Sequence, residues 1–373
     1  MNTYFGAAVP KLGFGLMRLP KKETGKIDME QMKKMVDLFM EAGLTYFDTA
    51  YVYDGGDSER AAREALVERY PRERYTLATK LAGWKAVDEE TARQQFYTSL
   101  ERTNAGYFDY YLLHSLKKEN YKKYDEYRIW DFVKEQKEKG LIKHWGFSFH
   151  STPELLDEIL TKHPDTEFVQ LQLNYADWEN PKVAARANYE VARKHGKSIV
   201  VMEPVKGGIL ATPPQEVQKI LHNRNAEASY ASWAIRYAAS LDGIITVLSG
   251  MSDLSQMEDN LSYMKAFQPL NNEEQAAIQK AQEAINGIRS IPCTDCHYCT
   301  EGCPKQIPIP EIFQARNKQL IWGQMEQGTK GYAKATKQAG TAADCIGCGQ
   351  CENSCPQQIP IIDWLKDCAA VFK

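Results

Sequence analysis

Four residues in the first third of this chain have the types and positions needed to move a proton: Asp48, Tyr53, Lys80 and His114. Asp48 closes the apolar stretch Thr45-Tyr46-Phe47, and Tyr53 follows in a turn of glycines and acids, Asp54-Gly55-Gly56-Asp57. Lys80 and His114 each stand at the end of a further apolar run. A phenol titrates near pH 10 (about 10 in model peptides) and is a poor acid at neutrality, but an ammonium beside it favours the phenolate. Lys80, held by Asp48, would supply that ammonium, and His114 would orient a carbonyl oxygen against the phenol. The product is a proton donor aimed at an oxygen that becomes an alkoxide as hydride reaches carbon. Singly, a strand-closing lysine is ordinarily a rim charge and a lone histidine a satisfied loop residue. In register on consecutive strands, the set asks for a common explanation.

The cysteines make a second constellation. None occurs before Cys293, and nine follow. Cys293, Cys296, Cys299 and Cys303, followed by Pro304, are spaced C-x2-C-x2-C-x3-C-P, and Cys345, Cys348, Cys351 and Cys355, followed by Pro356, repeat the spacing. Soft thiolates select iron–sulfur clusters or zinc. Zinc ordinarily takes cysteine pairs split by a longer gap, so the doubled run points to two [4Fe-4S] clusters. Cys368 is left over among apolar residues of the last helix, as a buried and inert thiol would be.

Positioning these residues requires regular elements. Short apolar runs alternate with amphipathic helical ones: 12–19, 45–49, 75–81, 108–114, 143–149, 168–174, 198–204 and 243–249 as strands. Helices are expected over 29–42, 58–70, 89–103, 126–139, from 153 onward, and over 181–194, 227–239 and 254–266. Strands apolar on both faces belong to a parallel sheet covered on both sides. Eight such units predict an α/β fold, a closed (β/α)8 TIM barrel; a doubly wound open sheet would show a glycine-rich phosphate turn, and Gly13-Phe14-Gly15 is too weak for one. A barrel carries its chemistry at the C-terminal ends of its strands. There stand Asp48, Lys80, His114, Ser148, Gln172 with Asn174, and Glu203. Residues 271–287 form one more helix, and the division is drawn as 1–286 for the barrel and 287–373 for a small, mainly helical cluster domain, with helices over 310–322 and 331–340. The segment from Lys117 to Arg128 is expected to be a solvated rim, and Trp84 a neighbour of the substrate pocket.

Composition narrows the classes. With 43% hydrophobic and 25% charged residues and a net charge of -3, the chain has the make-up of an ordinary globular protein. No basic face suggests nucleic acid. No secretory leader precedes Pro10 and no apolar run reaches the ~18 residues of a membrane span, so a cytoplasmic location is expected.

Residues 5 to 266 resemble the aldo-keto reductase family. The resemblance is carried by Gly13-Phe14-Gly15, Phe47-Asp48-Thr49-Ala50 with Tyr53, Ser58-Glu59, Ala78-Thr79-Lys80, Leu112-Leu113-His114, Gly146-Phe147-Ser148, Gln172 with Tyr175, and Gln256 to Asn260. It implies a catalytic tetrad of Asp48, Tyr53, Lys80 and His114, with Tyr53 as general acid and NADP(H) or NAD(H) as cofactor. Ser148 and Gln172 would hold the carboxamide, and Gly250, Met251, Ser252, Gln256 and Asn260 would lie along the adenosine end. Met202 stands where the family often stacks a tyrosine on the nicotinamide, Phe149 where asparagine is common, and the basic residues that many members place on the 2′-phosphate are absent. The tail resembles the helical two-cluster ferredoxin domain of respiratory iron–sulfur subunits. That resemblance implies a crossed ligation, with Cys293, Cys296, Cys299 and Cys355 on one cluster and Cys345, Cys348, Cys351 and Cys303 on the other.

The expected function is an oxidoreductase that reduces a small-molecule carbonyl or oxidises an alcohol, with the clusters transferring electrons. Hydride moves two electrons and a cubane one, so exchange between them calls for a switch: a flavin, or a redox partner protein such as a flavoprotein or ferredoxin. The alternatives are a nicotinamide-dependent reductase with structural or sensing clusters, and an electron-transfer module on an inactive barrel.

Overall fold

The computed structural model describes residues 4–372. Eight parallel strands close into a barrel in chain order: β1 (Leu12–Gly15), β2 (Tyr46–Asp48), β3 (Thr76–Leu81), β4 (Phe108–Leu116), β5 (Ile142–Phe149), β6 (Phe168–Gln172), β7 (Ser198–Met202) and β8 (Ile244–Ser249). β8 pairs back onto β1 through Leu12 and Val247, which removes the sheet edges. Tyr46, Ala78, Tyr110, Leu112, Phe168, Val200, Ile245 and Leu248 pack together as one buried cluster, with Phe5 and Val9 against it. Side chains alternate across a strand, so the next same-facing positions toward the C-terminal ends are Asp48, Lys80, His114, Gln170, Gln172 and Met202. The strand period carries the interior from apolar packing to a polar mouth.

The chain divides into two compact units. The first takes the chain up to Glu179 with Ala184–Pro204 and Ala231–Leu270; the second takes Asn180–Val183, Val205–Tyr230 and everything from Asn271 onward. In the second unit the helix Asn272–Asn286 opens on a capping box, with the Asn271 side chain accepting from the Glu274 backbone and Glu274 answering. The helices Ile309–Trp322 and Ile361–Val371 bury Ile312, Phe313, Leu365 and Cys368 in a core shared with Cys299 and Cys351.

Several boundaries differ from the sequence-based expectation. β1 stops at Gly15 and continues as a short turn of 3-10 helix, Leu16–Arg18. β6 stops at Gln172 and β7 at Met202, each shorter than expected. The helix expected from 181 starts at Ala185, after Ala184 takes a left-handed backbone. A helix at Gln215–Arg224 went unforeseen, because Val217 and Leu221 are its only buried residues and leave too thin an apolar stripe to see. The helix expected over 331–340 lies at Met325–Ala335. Its glycines misled: Gly328 faces the helix Ile309–Trp322 so closely that an added Cβ would lie 2.7 Å from the Ala315 carbonyl oxygen. The supposed solvated rim contains a helix, Tyr121–Glu126, whose Tyr124 is fully buried.

Candidate active site and cysteine cavities

Asp48, Tyr53, Lys80 and His114 converge. Lys80, with no exposed surface, places Nζ 2.5 Å from Asp48 Oδ1, 2.7 Å from the Thr49 carbonyl oxygen and 3.3 Å from the Tyr53 hydroxyl. Those three contacts match the three protons of an ammonium. Burial is the larger influence on each member of the ion pair: it lowers the pKa of Lys80 and raises that of Asp48, and their mutual attraction opposes both shifts. The turn bearing Tyr53 is pinned from below. Ser58 Oγ donates to the Leu16 carbonyl oxygen at 2.9 Å and accepts from the Thr49 hydroxyl at 2.7 Å. Arg102 donates to the Tyr51 carbonyl at 2.8 Å and to the buried Glu59, whose other oxygen accepts from Thr79.

His114 owes its placement to a bulge. The register between β4 and β5 shifts between Leu113 and Leu116, and Ser115 takes a φ of 55°. Bulges of this kind re-aim a side chain near an active site. The imidazole meets the Tyr53 ring edge-on at 5.7 Å and the Trp84 ring at 5.0 Å. Its Nδ1 is buried and makes no hydrogen bond among the described residues. Burial, then the charges of Lys80 and His150, hold its pKa well below 6.5. At neutral pH it is an uncharged imidazole with one N–H to give.

The expected cofactor residues occupy the ends of β5 to β8. Ser148 Oγ accepts the Ser115 N–H at 2.7 Å, which leaves its own O–H to donate. Gln172 Nε2 donates to Asp177 Oδ2 at 3.2 Å, and Asn174 donates to the same oxygen at 2.9 Å, so the glutamine is oriented from behind. Met202 Sδ lies 3.5 Å from Gln170 Nε2. Beyond β8, Gly250 is exposed and Met251 is buried. Gln256 accepts from the Ser252 N–H and donates to Asp253, the residue that caps the helix Leu254–Met264. Asn260 is engaged at both ends of its amide, donating to Ser249 Oγ at 2.7 Å and accepting from the Tyr263 hydroxyl at 2.6 Å, and so ties β8 to that helix. Sequence reasoning missed Arg18. Its side chain would meet a Cβ on Gly250 at 3.4 Å, and its guanidinium stands 3.9 Å from Glu203. Arg18 lay inside the expected strand 12–19, and only the stop of β1 at Gly15 puts it at the barrel mouth.

The second unit gathers its cysteines in two groups. Cys293, Cys296, Cys299 and Cys355 line one hollow with Ile309, Phe313, Ile359 and Ile361. Cys303, Cys345, Cys348 and Cys351 line another with Ile307, Ile346 and Leu365. Each run thus lends its last cysteine to the other's group. Among the described residues, no disulfide joins any of the nine cysteines. Four soft donors around an apolar hollow fit the [4Fe-4S] group that the spacing implies. Cys368 belongs to neither; it is fully buried, and burial pushes its thiol up to about 12.

Comparison with known proteins agrees with both halves. Residues 11–283 match the model of the aldo/keto reductase family, and residues 292–359 that of a 4Fe-4S dicluster domain. An uncharacterised oxidoreductase of Bacillus subtilis, YqkF, is 23% identical over 73% of this chain and 92% of its own. L-galactose dehydrogenase of Arabidopsis thaliana is 22% identical over 77% and 93%. Among solved structures, an aldo/keto reductase of Klebsiella pneumoniae in complex with NADP and acetate superposes with a TM-score of 0.61 at 19% identity, covering 74% of this chain and 92% of that one. Among the described residues, no helix is long and apolar enough to cross a membrane.

Proposed function

The chain belongs to the aldo/keto reductase family, and on that premise we propose that residues 1–286 reduce the carbonyl of a small molecule, or oxidise the alcohol, with Tyr53 as the proton donor and acceptor, while residues 287–373 carry electrons. The observation that carries the reading is Lys80, buried and shared between Asp48 and the Tyr53 hydroxyl. Reduced nicotinamide, when bound, supplies a hydride, and the clusters hold and pass single electrons.

The residues of the chain do the rest. The Lys80 ammonium stabilises negative charge on the Tyr53 oxygen, so the phenol gives up its proton to the substrate oxygen as that oxygen becomes an alkoxide. Asp48 keeps Lys80 in place and compensates its charge where both are buried. Neutral His114 donates an N–H to the same substrate oxygen and fixes the direction from which it meets Tyr53. Ser148 and Gln172 offer polar groups suited to the carboxamide of NADP(H) or NAD(H). Arg18 offers the cation that the segment after β8 lacks. Cys293, Cys296, Cys299 and Cys355 would ligate one [4Fe-4S] cluster, and Cys303, Cys345, Cys348 and Cys351 the other. A flavin or a partner carrier would join the two-electron and one-electron halves.

The test is to add NADPH or NADH to anaerobic protein and record electron paramagnetic resonance alongside turnover of an aldehyde such as 4-nitrobenzaldehyde. Reduced clusters with turnover support the reading. Turnover with silent clusters assigns the clusters a structural or sensing part, and absence of both leaves a barrel that only holds an electron-transfer domain. Tyr53→Phe is expected to lower kcat about 100-fold or more with coenzyme binding retained; unchanged kcat would remove Tyr53 from the proton-donor role.

A further inference from the structure

The segment after β4 contributes no group to the mechanism above, yet it buries a tyrosine completely. Tyr124 sits in the helix Tyr121–Glu126, and its hydroxyl meets the backbone of the turn after β3 and of β4 at once. It accepts the Gly83 N–H at 3.0 Å and donates to the His114 carbonyl oxygen at 2.6 Å. Gly83 lies beyond the end of β3, and His114 lies where the β4–β5 register shifts. Buried backbone groups outside a ladder need other partners, and Tyr124 supplies one to each. The ring also lies against Gly83, where an added Cβ would stand 2.8 Å from it. The same segment closes the bulge from its other side: Asn120 donates to the Ser115 carbonyl at 2.8 Å while accepting the Lys117 N–H at 3.0 Å.

We propose that Tyr124 is a positioning residue for the reduction: its phenol joins the His114 backbone to the Gly83–Trp84 turn and thereby sets how the His114 and Trp84 rings stand beside Tyr53. A tyrosine that merely filled the core would need only its ring. Here the hydroxyl is the part that touches the two segments carrying mouth-lining rings, and those rings stand 5.0 Å apart. The inference rests on the reading of His114 as the group that orients the carbonyl, and the experiment separates the two.

A double-mutant cycle is run on the cluster-loaded protein under anaerobic conditions, with 4-nitrobenzaldehyde and whichever of NADPH or NADH it accepts. Tyr124→Phe keeps the ring and deletes the hydroxyl's bonds to Gly83 and His114 together with its longer, 3.4 Å contact to the Leu81 carbonyl oxygen. It is expected to lower kcat about tenfold through misplacement of the imidazole, with the KM for coenzyme unchanged. In a His114→Ala background the same substitution is expected to change kcat by less than about twofold, because the group it positions is gone. An equal loss in both backgrounds overturns the proposal and assigns Tyr124 to general stability. Wild-type kcat in His114→Ala alone overturns the reading of His114, and the proposal with it. If Tyr124→Phe melts below the assay temperature, Gly83→Ala carries the same cycle, since its methyl displaces the Tyr124 ring and leaves the phenol chemically intact.

Discussion

At the scale of single residues, the site is dominated by groups that burial pushes toward neutrality. Lys80 and Asp48 are each almost without exposure, and they keep their charges through one another. Lys80→Met removes one partner and leaves a buried carboxylate; the fold is expected to lose about 3–5 kcal/mol in urea unfolding, a cost much larger than that of breaking a surface pair. Two histidines, the buried His114 and the partly exposed His150, set the pH response. His114 is held well below 6.5, and His150, by burial and the charge of Lys117, down to about 4. Both are neutral in the fold and protonate once the chain unfolds. As pH falls below 6.5 the unfolded chain therefore binds protons that the fold refuses, and stability falls. Each histidine contributes up to about 1.4 kcal/mol per pH unit across its window. For His150 the loss is complete near pH 4. Thermal melts between these limits are expected to show a falling midpoint, and His150→Gln is expected to flatten the fall; an equal slope in that variant would remove His150 as a source.

At the scale of elements, the positions of helices and loops are governed by close approaches that only small residues allow. The first cysteine run returns to the core through Lys305 and Ile307, and Gly340 comes so close that an added Cβ would lie 2.2 Å from the Lys305 carbonyl oxygen. Gly340 N–H also donates to the Gln306 carbonyl at 3.2 Å. Gly340→Val forces these strands of loop apart beside Cys303 and Cys345. The expected result is a protein that folds its barrel but purifies with iron missing, measured by iron content per chain against the wild type; full iron content would show that the loop can yield. The same reasoning explains the misplaced helix boundary. Gly328 and Gly331 discourage a helix by propensity, and the packing of Met325–Ala335 on Ile309–Trp322 overrides it.

At the scale of the whole molecule, the chain divides into two units, and the barrel interior and the cysteine-bearing tail each have a buried cluster of their own. The grouping of cysteines makes a test that spans the tail. Cys355→Ala is expected to perturb the same paramagnetic signal as Cys293→Ala, and Cys303→Ala the same signal as Cys345→Ala, because each pair lines one hollow. Signals that sort by sequence run instead would rule out the crossed ligation. Much of this molecule was legible in its residues. The eight-fold alternation of apolar runs follows from hydrogen bonding and burial along each strand, and a parallel sheet of that length closes. Asp48, Lys80 and His114 were visible as polar ends of apolar runs, and the cysteine spacing carries its own chemistry. What the chain could not declare locally depends on neighbours remote in sequence. Arg18 gains meaning only beside Gly250 and Glu203, at the far end of the barrel's closure. Tyr124 looked like part of a charged rim until its hydroxyl was seen between Gly83 and His114. Periodicity and spacing report what a segment buries and which donors it offers, whereas the partner of a backbone group freed by a bulge or a strand end is decided by tertiary packing, where the cost of an unpaired buried polar group selects it.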